Sequence, residues 1–120
     1  MKHTVLVVED EDDLRSMMRD VLEFNGYAVV AVEEGQRALD ALERLDHVCL
    51  VLLDLLMPGM NGWDFFDKMR ARPELASVPV IVHSSAPGKA PEGVTGVLQK
   101  PLELERLLSV VRQHCAMEAG

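Results

Sequence analysis

Six apolar residues in a row, Val48-Cys49-Leu50-Val51-Leu52-Leu53, run directly into Asp54, and Leu55-Leu56-Met57-Pro58-Gly59 follows. An unbroken apolar run of this kind reads as a strand covered on both faces, the pattern of a central strand in a parallel sheet. Pro58-Gly59 then turns the chain. Asp54 therefore stands at the carboxyl end of a buried strand, the edge at which open α/β sheets bind ligands and do chemistry. A solvated loop acid is the plain alternative, and the other residues that reach the same edge decide between the two.

The remaining chain alternates strands with helices. Thr4–Val8 is a β-branched apolar strand that ends in Glu9-Asp10-Glu11-Asp12-Asp13. Leu14, Met17, Met18, Val21 and Leu22 then recur at helical spacing, with Asp12 or Asp13 as the expected cap and Asn25-Gly26 as the stop. Tyr27–Val32 reads as the second strand, and Ala38, Leu39, Leu42 and Leu45 stripe a second helix after Gly35. Asn61-Gly62 opens a third helix with Phe65, Phe66 and Met69 inward, stopping before Pro73. Val78–His83 is the fourth strand, with Pro79 near its start where a missing donor is tolerated. Val94–Leu98 is the fifth. Leu104, Leu107, Leu108, Val111 and Cys115 stripe a closing helix that ends at about Met117, so a single domain over residues 1–120 is expected.

Such alternation implies βαβ units and a parallel sheet with helices on both faces. One crossover breaks the rhythm. Ser85-Ala86-Pro87-Gly88-Lys89-Ala90-Pro91-Glu92-Gly93 is short and rich in helix breakers, where a parallel connection normally carries a helix. An irregular loop or at most one turn is expected there.

Composition narrows the function. A net charge of −8 leaves no basic stripe for phosphates, which argues against direct nucleic-acid binding. The apolar stretches fall far short of a membrane span and no signal-peptide pattern follows Met1, so a cytoplasmic protein with no membrane partner is expected. Cys49 and Cys115 lie in apolar patterns without metal-ligand spacing and read as small buried hydrophobes rather than ligands or a disulfide.

The ends of strands one, three, four and five carry Glu9-Asp10, Asp54, Ser84 and Lys100-Pro101, and a parallel sheet brings these ends to one edge. Three carboxylates drawn together repel unless a cation compensates. Hard oxygen ligands with open positions suit Mg²⁺, a lysine supplies a point charge for phosphate, and a small hydroxyl can donate to a phosphoryl oxygen. His83, inside the fourth strand, reads as a packed strand residue rather than a catalytic one.

With these residues in place the chain resembles the receiver domain of two-component response regulators. The matching segments are Val5-Leu6-Val7-Val8-Glu9-Asp10, Leu53-Asp54-Leu55-Leu56-Met57-Pro58-Gly59-Met60-Asn61-Gly62, Pro79-Val80-Ile81-Val82-His83-Ser84, and Lys100-Pro101. The resemblance implies a flavodoxin-like, doubly wound parallel sheet of five strands in the order 2-1-3-4-5, here with its fourth helix short or replaced by a loop. It implies that Asp54 accepts a phosphoryl group from a sensor histidine kinase or phosphotransfer protein. Glu9, Asp10, Asp54 and the backbone carbonyl of Leu56 would hold Mg²⁺. Lys100 would pair with the phosphoryl group and Ser84 would donate its hydroxyl to it. The domain would be no enzyme beyond its own phosphotransfer and slow self-dephosphorylation, and it would signal to a downstream protein not identifiable from sequence.

Departures from the family pattern concern how a signal is read out. Val97 stands three positions before the lysine, where the family usually has an aromatic, and only sixteen positions separate Ser84 from Lys100. An uncovered apolar patch near the fourth and fifth strands would invite a partner or a homodimer; a rearranged loop using Ala86, Pro87 and Pro91 would instead cover it. Leu56 and Ala86 occupy positions that influence the hydrolytic water in the family, and neither can orient one, so slow loss of the phosphoryl group is expected. The competing function is a pseudo-receiver, a protein-interaction module that works without phosphorylation. A haloacid-dehalogenase-type phosphatase would need a second aspartate where Leu56 stands, and a Rossmann enzyme would need a glycine-rich turn after the first strand.

Overall fold

The computed structural model describes residues 3–57, 59–85 and 90–115. Five parallel strands, β1 (Thr4–Val8), β2 (Ala28–Val32), β3 (Val48–Asp54), β4 (Val80–Ser84) and β5 (Gly96–Gln99), form one sheet in the order β2-β1-β3-β4-β5. The described helices are α1 (Asp12–Phe24), α2 (Gly35–Arg44), α3 (Gly62–Arg70) and α4 (Leu104–His114), with a 3₁₀ turn at Pro73–Leu75. The alternation of apolar strands and striped helices predicted the parallel sheet, and this flavodoxin-like order is the one the family resemblance implied.

Side-chain alternation divides the core into two layers. Val5, Val7, Leu50, Leu52, Ile81 and Leu98 pack under Met18 and Leu22 of α1 and Leu107 and Val111 of α4. On the other face Leu6, Val8, Val51, Leu53 and Val80 meet Ala38, Leu39 and Leu42 of α2 and Phe65, Phe66 and Met69 of α3. Leu50 to Asp54 are all buried, as the apolar run requires of a strand covered on both faces.

Several boundaries differ from the sequence reading. The cap of α1 is Glu11 rather than Asp12 or Asp13, and its side chain makes no capping hydrogen bond. The two aspartates instead occupy the first turn, where the helix dipole favours acids. Leu45 and Cys115 follow the helices they were expected to join, each as the extended C-cap residue. Gly26, with φ of 91°, closes α1 as expected. At the start of α3, Asn61 accepts a hydrogen bond from the Asp64 amide at 2.9 Å.

Cys49 and Cys115 are not two separate hydrophobes; they form a disulfide across a sequence separation of 66. Packing of α4 against the layer containing Cys49 brings the two positions to a Cα separation of 5.4 Å. Apolar patterning sees only that both are buried, and proximity is set by the tertiary path.

The β4–β5 crossover has no helical residue among its described positions, Ser85 and Ala90–Thr95, in keeping with the expected short or looped connection. Ala86 and Pro87 lie outside the described residues, and so do Pro58 and Met117. Arg70 of α3 reaches into this region. Its guanidinium donates to the carbonyls of Ala76 (2.9 Å) and Gly93 and lies 4.8 Å above the Phe66 ring. A long side chain thereby holds the returning loop to the sheet face. Among the described residues Val97, Leu56, Leu104 and Phe24 leave large apolar side chains exposed.

Candidate functional site

The carboxyl edge of the sheet is assembled by extending its ladder beyond the strands. The Glu9 amide donates to the Val32 carbonyl (3.0 Å), and the Lys100 amide donates to the Ser84 carbonyl (2.9 Å). Asp54 stands opposite His83 in the β3–β4 register, and Ser84 opposite Gln99. Alternation then puts Glu9 in line with Val5 and Val7, Asp54 with Leu50 and Leu52, His83 with Ile81, and Lys100 with Leu98. Four polar residues from four chain segments thus share one face above one apolar layer.

Lys100 joins the acids. Its Nζ is 3.2 Å from Glu9 Oε1 and 3.4 Å from Asp54 Oδ1. Asp54 is only 4% exposed, and its Oδ1 also lies 3.4 Å from the Leu56 amide. Burial raises the Asp54 pKa; Lys100 opposes this, and a hydrogen bond with the Asp10 side chain reinforces it. Glu9 is fully buried, and burial pushes its pKa up to about 7. The Glu11 amide on Oε2 (3.0 Å) and Lys100 restrain that rise, and the charge of Asp54 adds to it. For Lys100 burial would lower the pKa, but Glu9 and Asp54 outweigh it and hold the ammonium above its ordinary value.

Every expected site residue lies at this edge. Asp10, half-buried, follows Glu9 and is within hydrogen-bond reach of Asp54. Ser84 is buried at the end of β4, on the face opposite His83 by alternation. Leu56 holds its amide toward Asp54 while its side chain is 66% exposed. The Lys100–Pro101 peptide is cis.

Two residues join the site that sequence reasoning left out. His83 is fully buried, with Nδ1 3.4 Å from Glu9 Oε1. Burial, with the neighbouring Lys100 adding to it, lowers its pKa to about 3, so the ring is neutral. Its period-two match to Ile81 and the apolar layer was the available signal. Arg15 of α1 donates to the Glu9 carbonyl (3.0 Å) and the Asp10 carbonyl (3.4 Å), and pairs with Asp12 at 2.5 Å. It clamps the acidic turn from below, and nothing in the sequence distinguished it from other helix-surface arginines.

The residues present fit a hard divalent cation. Glu9 Oε1 is buried with no hydrogen bond of good geometry, beside a second desolvated carboxylate. Ligand atoms of Glu9, Asp54 and His83 all lie within 4.8 Å of one another. Buried carboxylates in this state call for positive charge, which among the described residues Lys100 supplies to both.

Comparison with known proteins agrees with this geometry. The family model for the response regulator receiver domain matches residues 5–112. The chain is 33% identical to the uncharacterized transcriptional regulatory protein YkoG of Bacillus subtilis, matching 92% of this chain and 50% of that protein. It is 32% identical to the transcriptional regulatory protein CpxR of Escherichia coli (90% of this chain, 47% of that one). The chain therefore spans about half the length of these relatives. The polar-differentiation response regulator DivK of Brucella ovis is 28% identical and is matched over 97% of its length, with 95% of this chain covered. Among solved structures, the chemotaxis protein CheY4 of Vibrio cholerae superposes with a TM-score of 0.84 at 26% identity, covering 95% of this chain and 99% of that one. The strand order, the acids and lysine at its carboxyl edge and the family match lead to one conclusion: the chain belongs to the response regulator receiver domain family.

Proposed function

We propose that this domain is the phosphoaccepting element of a two-component phosphorelay, with Asp54 as the acceptor. The observation that carries the reading is the Lys100 ammonium set between Glu9 and Asp54 at 3.2 and 3.4 Å. It leaves one buried carboxylate oriented by an ammonium at the mouth of an otherwise apolar layer. An Asp54 oxygen attacks the phosphorus of a phosphohistidine on a sensor kinase or phosphotransfer protein. A P–O bond forms, the P–N bond breaks, and the electron pair returns to the imidazole, which takes up a proton. Lys100 follows the negative charge as it moves from the carboxylate to the phosphoryl oxygens, and Ser84 donates its hydroxyl to one of them. Glu9, Asp10, Asp54 and the Leu56 carbonyl would hold Mg²⁺, which when bound neutralises charge on the transferring group. Arg15 keeps the acidic turn in place throughout.

The domain acts in the cytoplasm and passes its state to a protein partner by conformational change, without binding nucleic acid or membrane itself. The experiment is intact-mass spectrometry after incubation with acetyl phosphate and Mg²⁺, for wild type and Asp54→Asn. A phosphoryl-sized increment that the substitution abolishes is the expected result. An unmodified wild type would overturn this reading in favour of a phosphorylation-independent interaction module.

A further inference from the structure

Beneath Lys100 lies an imidazole for which phosphoryl transfer to Asp54 supplies no task. The Lys100 side chain is 24% exposed and forms the mouth of the site, whereas His83 has no exposure and forms its floor. The Val8 carbonyl lies close enough to raise the basicity of the ring slightly, yet neither ring nitrogen closes a hydrogen bond. Glu9 Oε1 faces Nδ1 at 3.4 Å and has the Lys100 ammonium on its other side at 3.2 Å, without a hydrogen bond of good geometry. Buried polar atoms held without a well-formed hydrogen bond are costly to the fold. Two that face one another beside a second carboxylate are relieved together by one ion.

The spacing suits such an ion. Ligand atoms about 2.0–2.2 Å from a tetrahedral centre stand roughly 3.4 Å apart, the distance already found between His83 and Glu9. Asp54 needs only a small approach, because all three ligand atoms lie within 4.8 Å of one another. The neutral ring has a lone pair to give. Mg²⁺ prefers oxygen ligands and sheds water reluctantly, whereas imidazole suits first-row transition ions.

We propose that His83 supplies a nitrogen ligand to the cation site, so that Glu9, Asp54 and His83 select a first-row divalent ion such as Mn²⁺ or Co²⁺ more strongly than carboxylates alone would. The inference rests on reading the acidic edge as the cation site of the phosphotransfer reaction. It requires Lys100 to withdraw toward solvent as the ion enters, since the ammonium stands between the same two carboxylates.

The test compares wild type with His83→Leu, and with His83→Gln should the leucine variant not fold. Calorimetric titration with Co²⁺ alone and with Mg²⁺ alone measures affinity, and pulsed EPR of the Mn²⁺-loaded protein detects coupling to imidazole nitrogen. We expect His83→Leu to weaken Co²⁺ binding by about tenfold or more while Mg²⁺ binding changes by no more than about threefold. Nitrogen coupling should be present in wild type and absent from either variant. Equal effects on both metals, or a wild-type spectrum without nitrogen coupling, would overturn the proposal. A chain that binds Mg²⁺ and is phosphorylated on Asp54 but shows no nitrogen coupling loses this inference alone. A chain that shows the coupling but takes no phosphoryl group loses the phosphotransfer reading and keeps this one.

Discussion

Glu9 and His83 are buried side by side, and their protonation runs in opposite senses. The folded His83 pKa of about 3 lies below its ordinary 6.5, so in that interval the unfolded chain binds a proton that the folded chain refuses. The stability tied to a neutral ring is complete above pH 6.5 and is lost as pH falls toward 3. Glu9, raised from 4.5 to about 7, contributes stability that is complete below pH 4.5 and lost as pH rises through 7. At 1.36 kcal/mol per pH unit, replacing His83 with leucine should shift relative stability in the variant's favour by about 3 kcal/mol between pH 6.5 and pH 4. Urea midpoints of both proteins across that range provide the check, and parallel curves would refute it. Leu56 is the other residue with a consequence of its own. Its apolar, 66% exposed side chain beside Asp54 cannot orient water, so the phosphorylated domain should keep its label well beyond seconds. Time-resolved loss of label after acetyl phosphate treatment measures this, and decay within seconds would contradict it.

At the scale of elements, the site depends on how closely α3 seats on the end of β3. The Gly62 amide donates to the Leu55 carbonyl at 2.9 Å. A Cβ on Gly62 would meet Leu55 Cα at 2.7 Å and the Asp54 carbonyl oxygen at 2.8 Å, both backbone-bound atoms that cannot swing away. Gly62→Ala should therefore lower stability by about 2–3 kcal/mol and displace the segment bearing Asp54. Thermal unfolding together with the rate of phosphorylation by acetyl phosphate would show both effects, and an unchanged melting temperature would count against the packing argument. The helix itself was legible, since Asn61-Gly62 announced its start and Phe65, Phe66 and Met69 its inner face. The close approach was not, because a glycine at a helix start is also an ordinary choice. Similarly, the β4–β5 connection was readable as helix-poor from its prolines and glycines. The Arg70 side chain that ties it to Gly93 and Phe66 was not, since a lone arginine near the end of a helix usually faces water.

At the scale of the molecule, the Cys49–Cys115 bond ties the carboxyl end of α4 to the strand that bears Asp54. Closing a loop over a sequence separation of 66 restricts the unfolded chain by about 4 kcal/mol in the chain-entropy account. Reduction should lower the denaturant midpoint accordingly while leaving the fold intact, because both core layers also rest on many apolar contacts besides the two cysteines. Equilibrium unfolding with and without reductant, alongside Cys49→Ala, would measure this; identical midpoints would show that the bond carries no stability. The proposed cytoplasmic setting keeps thiols reduced, which makes the reduced form the relevant one there.

Local pattern alone determined the alternation of strands and helices, the parallel sheet and the arrival of Glu9, Asp10, Asp54, Ser84 and Lys100 at one edge. These follow from periodicity, breakers and the rule that parallel strands end together. Tertiary structure decided which of those residues touch. It set Lys100 between Glu9 and Asp54, made His83 the floor of the site, joined Cys49 to Cys115 and fitted Gly62 against the Asp54 carbonyl. Each of these is a contact between segments far apart in the chain or a close approach measured in tenths of an ångström. Periodicity records which face a residue occupies; distances between faces arise only when the layers pack.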